Sequence, residues 1–253
     1  MLRPRIIPVL LLKENFLAKS VKFKNHVYIG DPLNAVKLYN DLKADELVFL
    51  DIHASKNGKV VSFDLVKEIG EEASMPFSVG GGIKTLLQIE NLIKAGAERV
   101  IIGNEAAINP AFISTASEEF GSSTVTVCID VKKNLFGKEL VYSLNSKMVH
   151  KYNALDFAKL MEQNGVGEII VQSVERDGTM KGYDIDLVKK ISDEVTVPVV
   201  ALGGAGSYMD LKDMYGFCKV RGLGSGSTFI YQSDMKGVLI NYPTPQEKKK
   251  IYE

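Results

Sequence analysis

Short apolar runs alternate along the chain with amphipathic segments, and Gly, Pro, Asn or Asp usually marks the boundary between them. Bounded apolar runs are typical of buried strands, whereas a periodicity of 3.6 residues indicates helices. The pattern predicts eight strands, at Arg5–Leu11, Leu47–Asp51, Phe77–Gly80, Arg99–Gly103, Val125–Asp130, Glu168–Ser173, Val199–Gly203 and Val220–Gly224. It predicts helices near Asp31–Leu42, Asp64–Ala73, Thr85–Ala95, Pro110–Phe120, Ala154–Asn164, Asp186–Val195 and Ser207–Tyr215.

Strands that are apolar on both faces and are joined by helices pair in parallel. Eight such units in 253 residues predict an α/β protein with a single closed (β/α)₈ barrel, and an open doubly wound sheet is the alternative. Residues 136–151 depart from this pattern because polar and apolar residues alternate there. They predict a hairpin or a long loop after the fifth strand.

A repeat with an offset of 122 residues favours the closed barrel. The stretch Met75–Gly82 recurs as Val197–Gly204, and the same offset relates Glu46 to Glu168. The chain is therefore predicted to consist of two half-barrels of four units each. No Pro-, Gly- or Ser-rich linker interrupts it, so we expect one domain over residues 1–253, ending in a polar, solvated tail at 244–253.

Composition excludes several classes of partner. The 31 basic residues balance the 31 acidic ones, so the chain has no net positive field for nucleic acid or for a membrane surface. The early apolar run Ile6–Leu12 is too short to span a bilayer. Two cysteines and three scattered histidines give neither a disulfide framework nor paired metal ligands. We expect a cytoplasmic protein with metal-free and cofactor-free chemistry.

Glycine-rich sequences follow the third, seventh and eighth predicted strands. Backbone N–H groups in such loops converge on an anion at the mouth of a barrel, so we predict phosphate binding there. Two cradles related by the repeat suit a ligand with a phosphate at each end, although the glycines alternatively only permit tight turns. The candidates are Gly81, Gly82, Gly203, Gly204, Gly224 and Ser225, joined by Lys19, which is alternatively a solvated lysine.

Three aspartates lie at or just beyond the ends of predicted strands. Asp130 ends the fifth strand on the same side as Thr126 and Cys128, Asp51 ends the second, and Asp177 follows the sixth. A carboxylate facing the barrel mouth has its pKa raised by burial, which suits general acid/base catalysis. The alternative is that these aspartates cap backbone donors in the loops.

Four charged residues lie at the opposite end of the predicted barrel. Arg5, Glu46, Arg99 and Glu168 stand at or just before the beginnings of strands one, two, four and six. Two acids and two arginines placed alternately around a barrel floor predict a ring of ion pairs. A cluster of ordinary surface salt bridges is the alternative.

Specific motifs cover nearly the whole chain, at Arg5–Pro8, Gly30–Pro32, Ala44–Ile52, Val79–Ile83, Ile129–Asp130, Arg176–Asp184 and Gly203–Gly206. Together they resemble the cyclase subunit of imidazole glycerol phosphate synthase. The resemblance implies a (β/α)₈ barrel with a glutaminase on its N-terminal face. It further implies that ammonia crosses the barrel to a bis-phosphorylated ribonucleotide, where two aspartates act as acid and base.

The chain departs from this family at catalytic positions. Leu11 stands where the family has its first catalytic aspartate, and the second is retained as Asp130. The family's asparagine after strand four corresponds to Gly103, with Asn104 beside it as a further candidate for phosphate binding, and its threonine on strand six corresponds to Gln172. Loss of one general acid or base typically slows a reaction by roughly 10²–10⁴-fold.

The charged residues of the floor, by contrast, match the family's gate at the ammonia entrance, with Arg99 in place of a lysine. Retained ammonia chemistry and lost ring closure, with the segments Gly224–Phe229 and Val238–Pro243, resemble the glycosyl-amidation-associated paralogues of the cyclase subunit. In that group the barrel is thought to receive ammonia from a glutaminase and to pass it to an ATP-dependent amidotransferase. That enzyme converts an acetamido sugar into an acetamidino sugar for surface glycans.

We therefore expect a barrel that relays ammonia. One alternative is a working cyclase subunit of histidine biosynthesis, in which another group replaces the missing aspartate. A second alternative is a non-catalytic binding or scaffold barrel.

Overall fold

The computed structural model describes residues 3–143, 148–232 and 237–253. Its strands are β1 (Arg5–Lys13), β2 (Phe16–Val21), β3 (Lys24–Gly30), β4 (Leu47–Asp51), β5 (Phe77–Gly80), β6 (Arg99–Ile102), β7 (Val125–Lys133), β8 (Glu139–Ser143), β9 (Met148–Asn153), β10 (Glu168–Ser173), β11 (Val199–Leu202), β12 (Gly222–Ser225), β13 (Tyr231–Gln232) and β14 (Gly237–Val238). Its helices are α1 (Pro32–Asp41), α2 (Phe63–Glu72), α3 (Leu86–Lys94), α4 (Asn104–Ile108), α5 (Ala111–Phe120), α6 (Ala154–Gln163), α7 (Ile185–Ser192), α8 (Tyr208–Phe217) and α9 (Pro245–Tyr252), with a 3₁₀ turn at Ser122–Thr124.

Eight parallel strands close into a barrel. The strands pair in the order β1, β4, β5, β6, β7, β10, β11 and β12, and β12 returns to pair with β1. The two predicted halves meet where β6 pairs with β7, with Ile101 opposite Thr126, and where β12 pairs with β1. The predicted (β/α)₈ barrel is confirmed, and the open sheet is excluded because both edges of the sheet are joined.

Two apolar cores follow from the alternation of side chains along the strands. Inside the barrel, one core contains Ile7, Val9, Val48, Ile101, Ile170, Val200 and Leu202. The larger core lies between the outer faces of the strands and the helices, and Phe49, Phe77 and Phe157 are among its buried aromatic residues. Strands that contact both cores are apolar on both faces, which explains the uninterrupted runs in the sequence.

Side-chain caps fix the start of α1, α3 and α8 at the predicted places. Asp31 accepts a hydrogen bond from the Asn34 N–H at 2.9 Å, with Pro32 as the first residue of α1. Thr85 and Ser207 each form a reciprocal capping box at the start of α3 and α8. Such caps satisfy backbone donors that have no partner within the helix.

Two hairpins extend the barrel beyond the carboxyl ends of its strands. β2 and β3 fold back on β1, and β8 and β9 fold back on β7. The second agrees with the hairpin predicted over 136–151, of which residues 144–147 lie outside the described ranges. The first was not predicted, because its turn contains no glycine and instead places Lys22 and Phe23 at positive φ.

The C-terminal segment corrects an expectation. Residues 244–253 were expected to form a solvated tail, but they form α9, which begins at a Thr244 capping box. Ile251 is buried, the Tyr252 hydroxyl donates to the Pro4 carbonyl at 2.8 Å, and Lys248 pairs with Asp45 at 2.7 Å. The expectation was wrong because the segment is polar in composition, yet one buried side chain, Ile251, and two polar contacts are enough to pack the helix against the rest of the protein.

None of the helices in the described ranges is both long and apolar enough to cross a membrane.

Candidate functional site

Two pockets lie at the mouth formed by the carboxyl ends of the barrel strands. The first is lined by Asp51, Gly81, Gly82, Asn104 and Asp130, among others. The second is lined by Lys19, Asp177, Gly203, Gly204 and Ser225, among others. Leu11 and Gln172 line both pockets and so lie where they meet. The repeated glycine pairs are thus in separate pockets on either side of one junction, as expected for a ligand with two anionic ends.

The glycines of both pairs have structural reasons for lacking side chains. Gly82 and Gly204 have φ of +71° and +110°, and a Cβ would approach the Lys59 and Gly182 carbonyl oxygens to 1.9 and 2.2 Å. Tight packing therefore accounts for part of the glycine pattern. The backbone N–H groups of Gly82 and Gly204 nevertheless have no backbone acceptor in the described part of the chain. These donors are thus available to an anion as well.

Gly224 does not belong to either pocket wall among the described residues. It is buried in β12, and its carbonyl accepts a hydrogen bond from the Tyr183 hydroxyl at 2.9 Å. Its neighbour Ser225 lines the second pocket, but its hydroxyl is engaged with the Ala205 carbonyl and with Thr228. This part of the loop is therefore held by its own hydrogen bonds.

Asp130 lies on the inward face of β7, where the alternation of strand residues placed it. Burial and, to a lesser extent, the nearby charge of Asp177 raise the pKa of its carboxyl to about 7, although the hydrogen bond from the Cys128 thiol acts in the opposite direction. The Cys128 sulfur is 3.8 Å from the Asp130 Oδ1 atom and 3.8 Å from the Gln172 Oε1 atom. A carboxyl with this pKa gives up and takes back a proton near neutral pH, which suits an acid or a base.

Asp177 and Lys19 form the polar side of the second pocket. Asp177 accepts hydrogen bonds from the Ser20 hydroxyl at 3.2 Å and from the Phe23 N–H at 3.4 Å, both on the β2–β3 hairpin. Burial raises the pKa of Asp177, and Lys19 opposes that rise. Burial lowers the pKa of the Lys19 ammonium to about 8, although Asp177 acts against it. Lys19 is 7% exposed, so the alternative of a solvated lysine is wrong.

Asp51 and Asn104 are held by loop contacts in the first pocket. The Asp51 Oδ1 atom accepts from the N–H groups of His53 and Ala54, both at 2.9 Å. The alternative interpretation, in which these aspartates cap backbone donors of the loops, is therefore correct for the Oδ1 atom of Asp51. Asn104 accepts a hydrogen bond from the Ser143 hydroxyl of β8, which ties the start of α4 to the second hairpin.

The charged residues of the floor form a chain rather than a ring. Arg5 pairs with both Glu46 and Glu168, and Arg99 pairs with Glu46 at 3.2 Å. In the described part of the molecule no ion pair joins Arg99 to Glu168, so the predicted ring has one open side. Arg99 is instead held by Glu98 and by the Ser123 carbonyl.

Both acids of this chain of charges are buried, at 2% and 7% exposure. Burial raises the pKa of the Glu168 carboxyl, while Arg5 favours its ionised form. The Ser78 hydroxyl donates to Glu46 at 2.9 Å from inside the barrel. The interpretation as a surface salt-bridge cluster is therefore wrong for the acids, which face the barrel interior.

The comparisons with known proteins agree with this architecture. A family model described as "Histidine biosynthesis protein" matches residues 5–235. The chain belongs to this family. It is 43% identical over 254 residues to a Vibrio vulnificus protein named "Putative imidazole glycerol phosphate synthase subunit hisF3", covering all of this chain and 98% of that one.

Two further members of the histidine biosynthesis family extend the likeness. A Pseudomonas aeruginosa protein named "Putative imidazole glycerol phosphate synthase subunit hisF2" is 42% identical over 243 residues, covering 96% of this chain and 97% of its own. An Alkaliphilus metalliredigens protein named "Imidazole glycerol phosphate synthase subunit HisF" is 40% identical over 215 residues, covering 85% of each chain. The resemblance to the cyclase-subunit family is confirmed.

Reasoning from sequence missed residues that this member of the family brings to the mouth from the first hairpin. Ser20, Phe23 and His26 all line the first pocket. His26 lies 5.9 Å from His53, ring centre to ring centre. Burial lowers the pKa of His26, helped by Lys13 and His53. No group of three or more potential metal ligands occurs within the described ranges. Alternating polar residues after Lys13 were the one available signal for this hairpin.

Proposed function

We propose that the chain is the barrel subunit of a glutamine-dependent amidotransferase system, which receives ammonia at its floor and releases it at its mouth. The observation that carries the proposal is the combination of the buried charge chain Arg5, Glu46, Arg99 and Glu168 with Leu11 at the junction of the two mouth pockets. The floor keeps groups suited to an ammonia entrance. The mouth lacks one proton-transferring group.

The path between the two ends supports this proposal. Above the charged residues, the barrel interior is lined by branched apolar side chains. Such an interior accepts a neutral molecule at low cost, whereas an ammonium ion loses its hydration there at a cost of several kcal/mol. Because both buried acids are already paired with Arg5, they do not offer a free site to a cation. The chain is thus suited to pass ammonia and to hold back ammonium.

The proposed partner at the floor is a glutaminase on the N-terminal face of the barrel. At the mouth we propose an ATP-dependent amidotransferase that uses the ammonia to make an acetamidino sugar for surface glycans. Both partners and the complex would be cytoplasmic, where ATP is available. A phosphorylated small molecule would occupy the two glycine pockets, held by backbone donors and by the Lys19 ammonium at neutral pH.

The test is reconstitution of the three proteins. The purified chain should co-elute with the glutaminase, and glutamine should support amidination of the acetamido sugar only when the chain is present. Free ammonium should support the reaction without it. Equal glutamine-dependent activity in the presence and absence of the chain would refute the proposal.

A working cyclase subunit is the second candidate, and two observations favour it. Asp130 has a pKa of about 7, and the two glycine pairs line pockets at the mouth. Leu11 has no exchangeable proton, so we expect cyclization to be at least about 10²-fold slower than in an enzyme with both aspartates. The measurement is turnover of the bis-phosphorylated ribonucleotide of the histidine pathway with ammonia. A rate within about tenfold of such an enzyme would favour this candidate over the relay.

A further inference from the structure

A third, smaller cavity, separate from the two mouth pockets, lies inside the barrel directly above the charged floor. Glu46, Ser78, Thr126 and Glu168 are its polar lining, and the rest is the apolar interior of the barrel. The centre of a water-sized molecule can occupy a volume of about 10 Å³ within it. That volume is close to what a single such molecule requires.

Among the polar residues that line this cavity, Thr126 differs from the others because the described residues leave its hydroxyl unpaired. It lies on β7, is 1% exposed, and its hydroxyl has no hydrogen-bond partner within the described residues. By contrast, Ser78 donates to Glu46, and Glu46 and Glu168 are paired with Arg5. Since a buried hydroxyl without a partner destabilises a fold, such a group points to a ligand.

We propose that the Thr126 hydroxyl is a binding site for one molecule of ammonia immediately beyond the floor. This inference rests on the proposed function, which it extends by naming where ammonia is held. A hydroxyl both donates to the nitrogen lone pair and accepts an N–H bond. Ammonia offers both and carries no charge. It therefore matches the unpartnered hydroxyl better than ammonium does, because the two acids of the cavity are already paired with Arg5.

The continuation of β7 gives this site a direction. Thr126, Cys128 and Asp130 share the inward face of the strand, each step covering about 7 Å. The Cys128 sulfur contacts both Asp130 and Gln172 at 3.8 Å. One strand therefore carries polar groups from the floor to the mouth, while the facing positions Val9, Val48 and Val200 are apolar. Thr126 is the first of these groups that ammonia meets.

Binding is measured without any partner protein. The thermal unfolding midpoint of the purified chain is compared in ammonium chloride and in sodium chloride at alkaline pH, where part of the ammonium is ammonia. A ligand of the folded state raises the midpoint, so the wild type should unfold at a higher temperature in the ammonium salt. Thr126→Val, which keeps the shape, should lose this difference, and Thr126→Ser should retain it.

Ser117→Ala is the matched control, because Ser117 is the other buried hydroxyl without a partner in the described ranges and lies on α5, outside the barrel interior. It should leave the ammonium effect unchanged. An equal ammonium effect in the wild type and Thr126→Val, or no effect in the wild type, would overturn the site.

Transit is measured in the complex with the glutaminase. Thr126→Val should lower the fraction of glutamine nitrogen that reaches product by roughly threefold to tenfold, the range of one lost hydrogen bond, and Thr126→Ser should restore it. A wild-type complex that transfers no glutamine nitrogen refutes the proposed function, and the unfolding experiment then decides the site alone. A coupled wild type with an equally coupled Thr126→Val refutes the site and leaves the function standing.

Discussion

Restoring a carboxylate at position 11 is the sharpest perturbation of the mouth. Leu11 is 8% exposed and lines both pockets of the mouth, and Asp130 has a pKa of about 7 in the first of them. If the missing acid or base is the reason that ring closure is slow, Leu11→Asp should raise cyclization with ammonia by about 10²-fold or more. Leu11→Asn is the matched control, since it has the same shape and no ionisable group.

The substitution should also destabilise the fold by a predictable amount. Removing a buried leucine side chain loses about 2–3 kcal/mol of apolar burial, and placing a carboxylate there costs a further 1–3 kcal/mol or so. The total of about 3–6 kcal/mol corresponds to a fall of roughly 6–24 °C in the unfolding midpoint for a chain of this size. Leu11→Asn should fall by a comparable amount, so loss of stability does not distinguish the two variants.

The assay is turnover of the bis-phosphorylated ribonucleotide at saturating ammonia, measured below the unfolding transition of both variants. A new carboxylate in the pocket that Asp130 also lines should raise the pKa of both acids, so the gain should depend on pH, with a limb at or above about 7. If Leu11→Asp turns over no faster than Leu11→Asn, the leucine is not what prevents ring closure. The reasoning from position 11 would then be refuted.

Three further predictions concern the floor, the second pocket and the C-terminal helix. Arg5→Ala and Glu46→Ala should each lower the free energy of unfolding by about 1–3 kcal/mol, since they break partly buried ion pairs. Complexes with either variant should release more glutamate per amidinated sugar than the wild type. If both variants keep the wild-type ratio, the charged residues of the floor do not control the entry of ammonia. The affinity of the chain for sulfate should fall by about tenfold as pH rises through about 8, because Lys19 loses its charge there. A decline only above pH 10 or so, or the same decline in Lys19→Met, would contradict a role for the Lys19 charge in sulfate binding. Ile251→Ala should cost about 2–4 kcal/mol of unfolding free energy and Lys250→Ala less than about 0.5 kcal/mol; equal effects would show that α9 is not packed.

The free energy of unfolding should also depend on the protonation of Lys19, but it should rise with pH, whereas sulfate affinity falls. The folded pKa of Lys19 lies near 8, below its ordinary value of 10.5, so the unfolded chain binds more protons between these values. Stability contributed by this group therefore rises with pH across that window. A Lys19→Met variant should lack the rise in denaturant-unfolding measurements. If the wild type lacks it too, Lys19 is not buried as a charged group.

The barrel strands were predictable because each is apolar on both faces and ends at a polar or flexible residue. Leu47–Asp51, Phe77–Gly80 and Glu168–Ser173 have the predicted bounds for that reason. The first hairpin was not predictable in this way, because its turn uses residues other than glycine at positive φ. The helix at the C terminus escaped for a related reason, since its packing depends on one apolar side chain, Ile251.

The candidate site likewise has features that were predictable from the sequence and features that were not. The inward direction of Asp130 follows from its parity with Thr126 and Cys128 on one strand, which the sequence displays. The burial of Lys19, however, depends on the hairpin folding back across the mouth, and local sequence does not encode that contact. The open side of the floor likewise depends on which acid each arginine reaches in three dimensions. Positions along strands were therefore predictable, and partners across the barrel were not.

Isotope transfer tests the central claim most directly. The assembled complex is given glutamine labelled with ¹⁵N in the amide group, together with an excess of unlabelled ammonium in solution, and the label in the amidinated sugar is measured. A barrel that conducts ammonia internally predicts that most product nitrogen carries the label despite the excess. Product nitrogen labelled only in proportion to the ammonia in bulk solution would contradict the account.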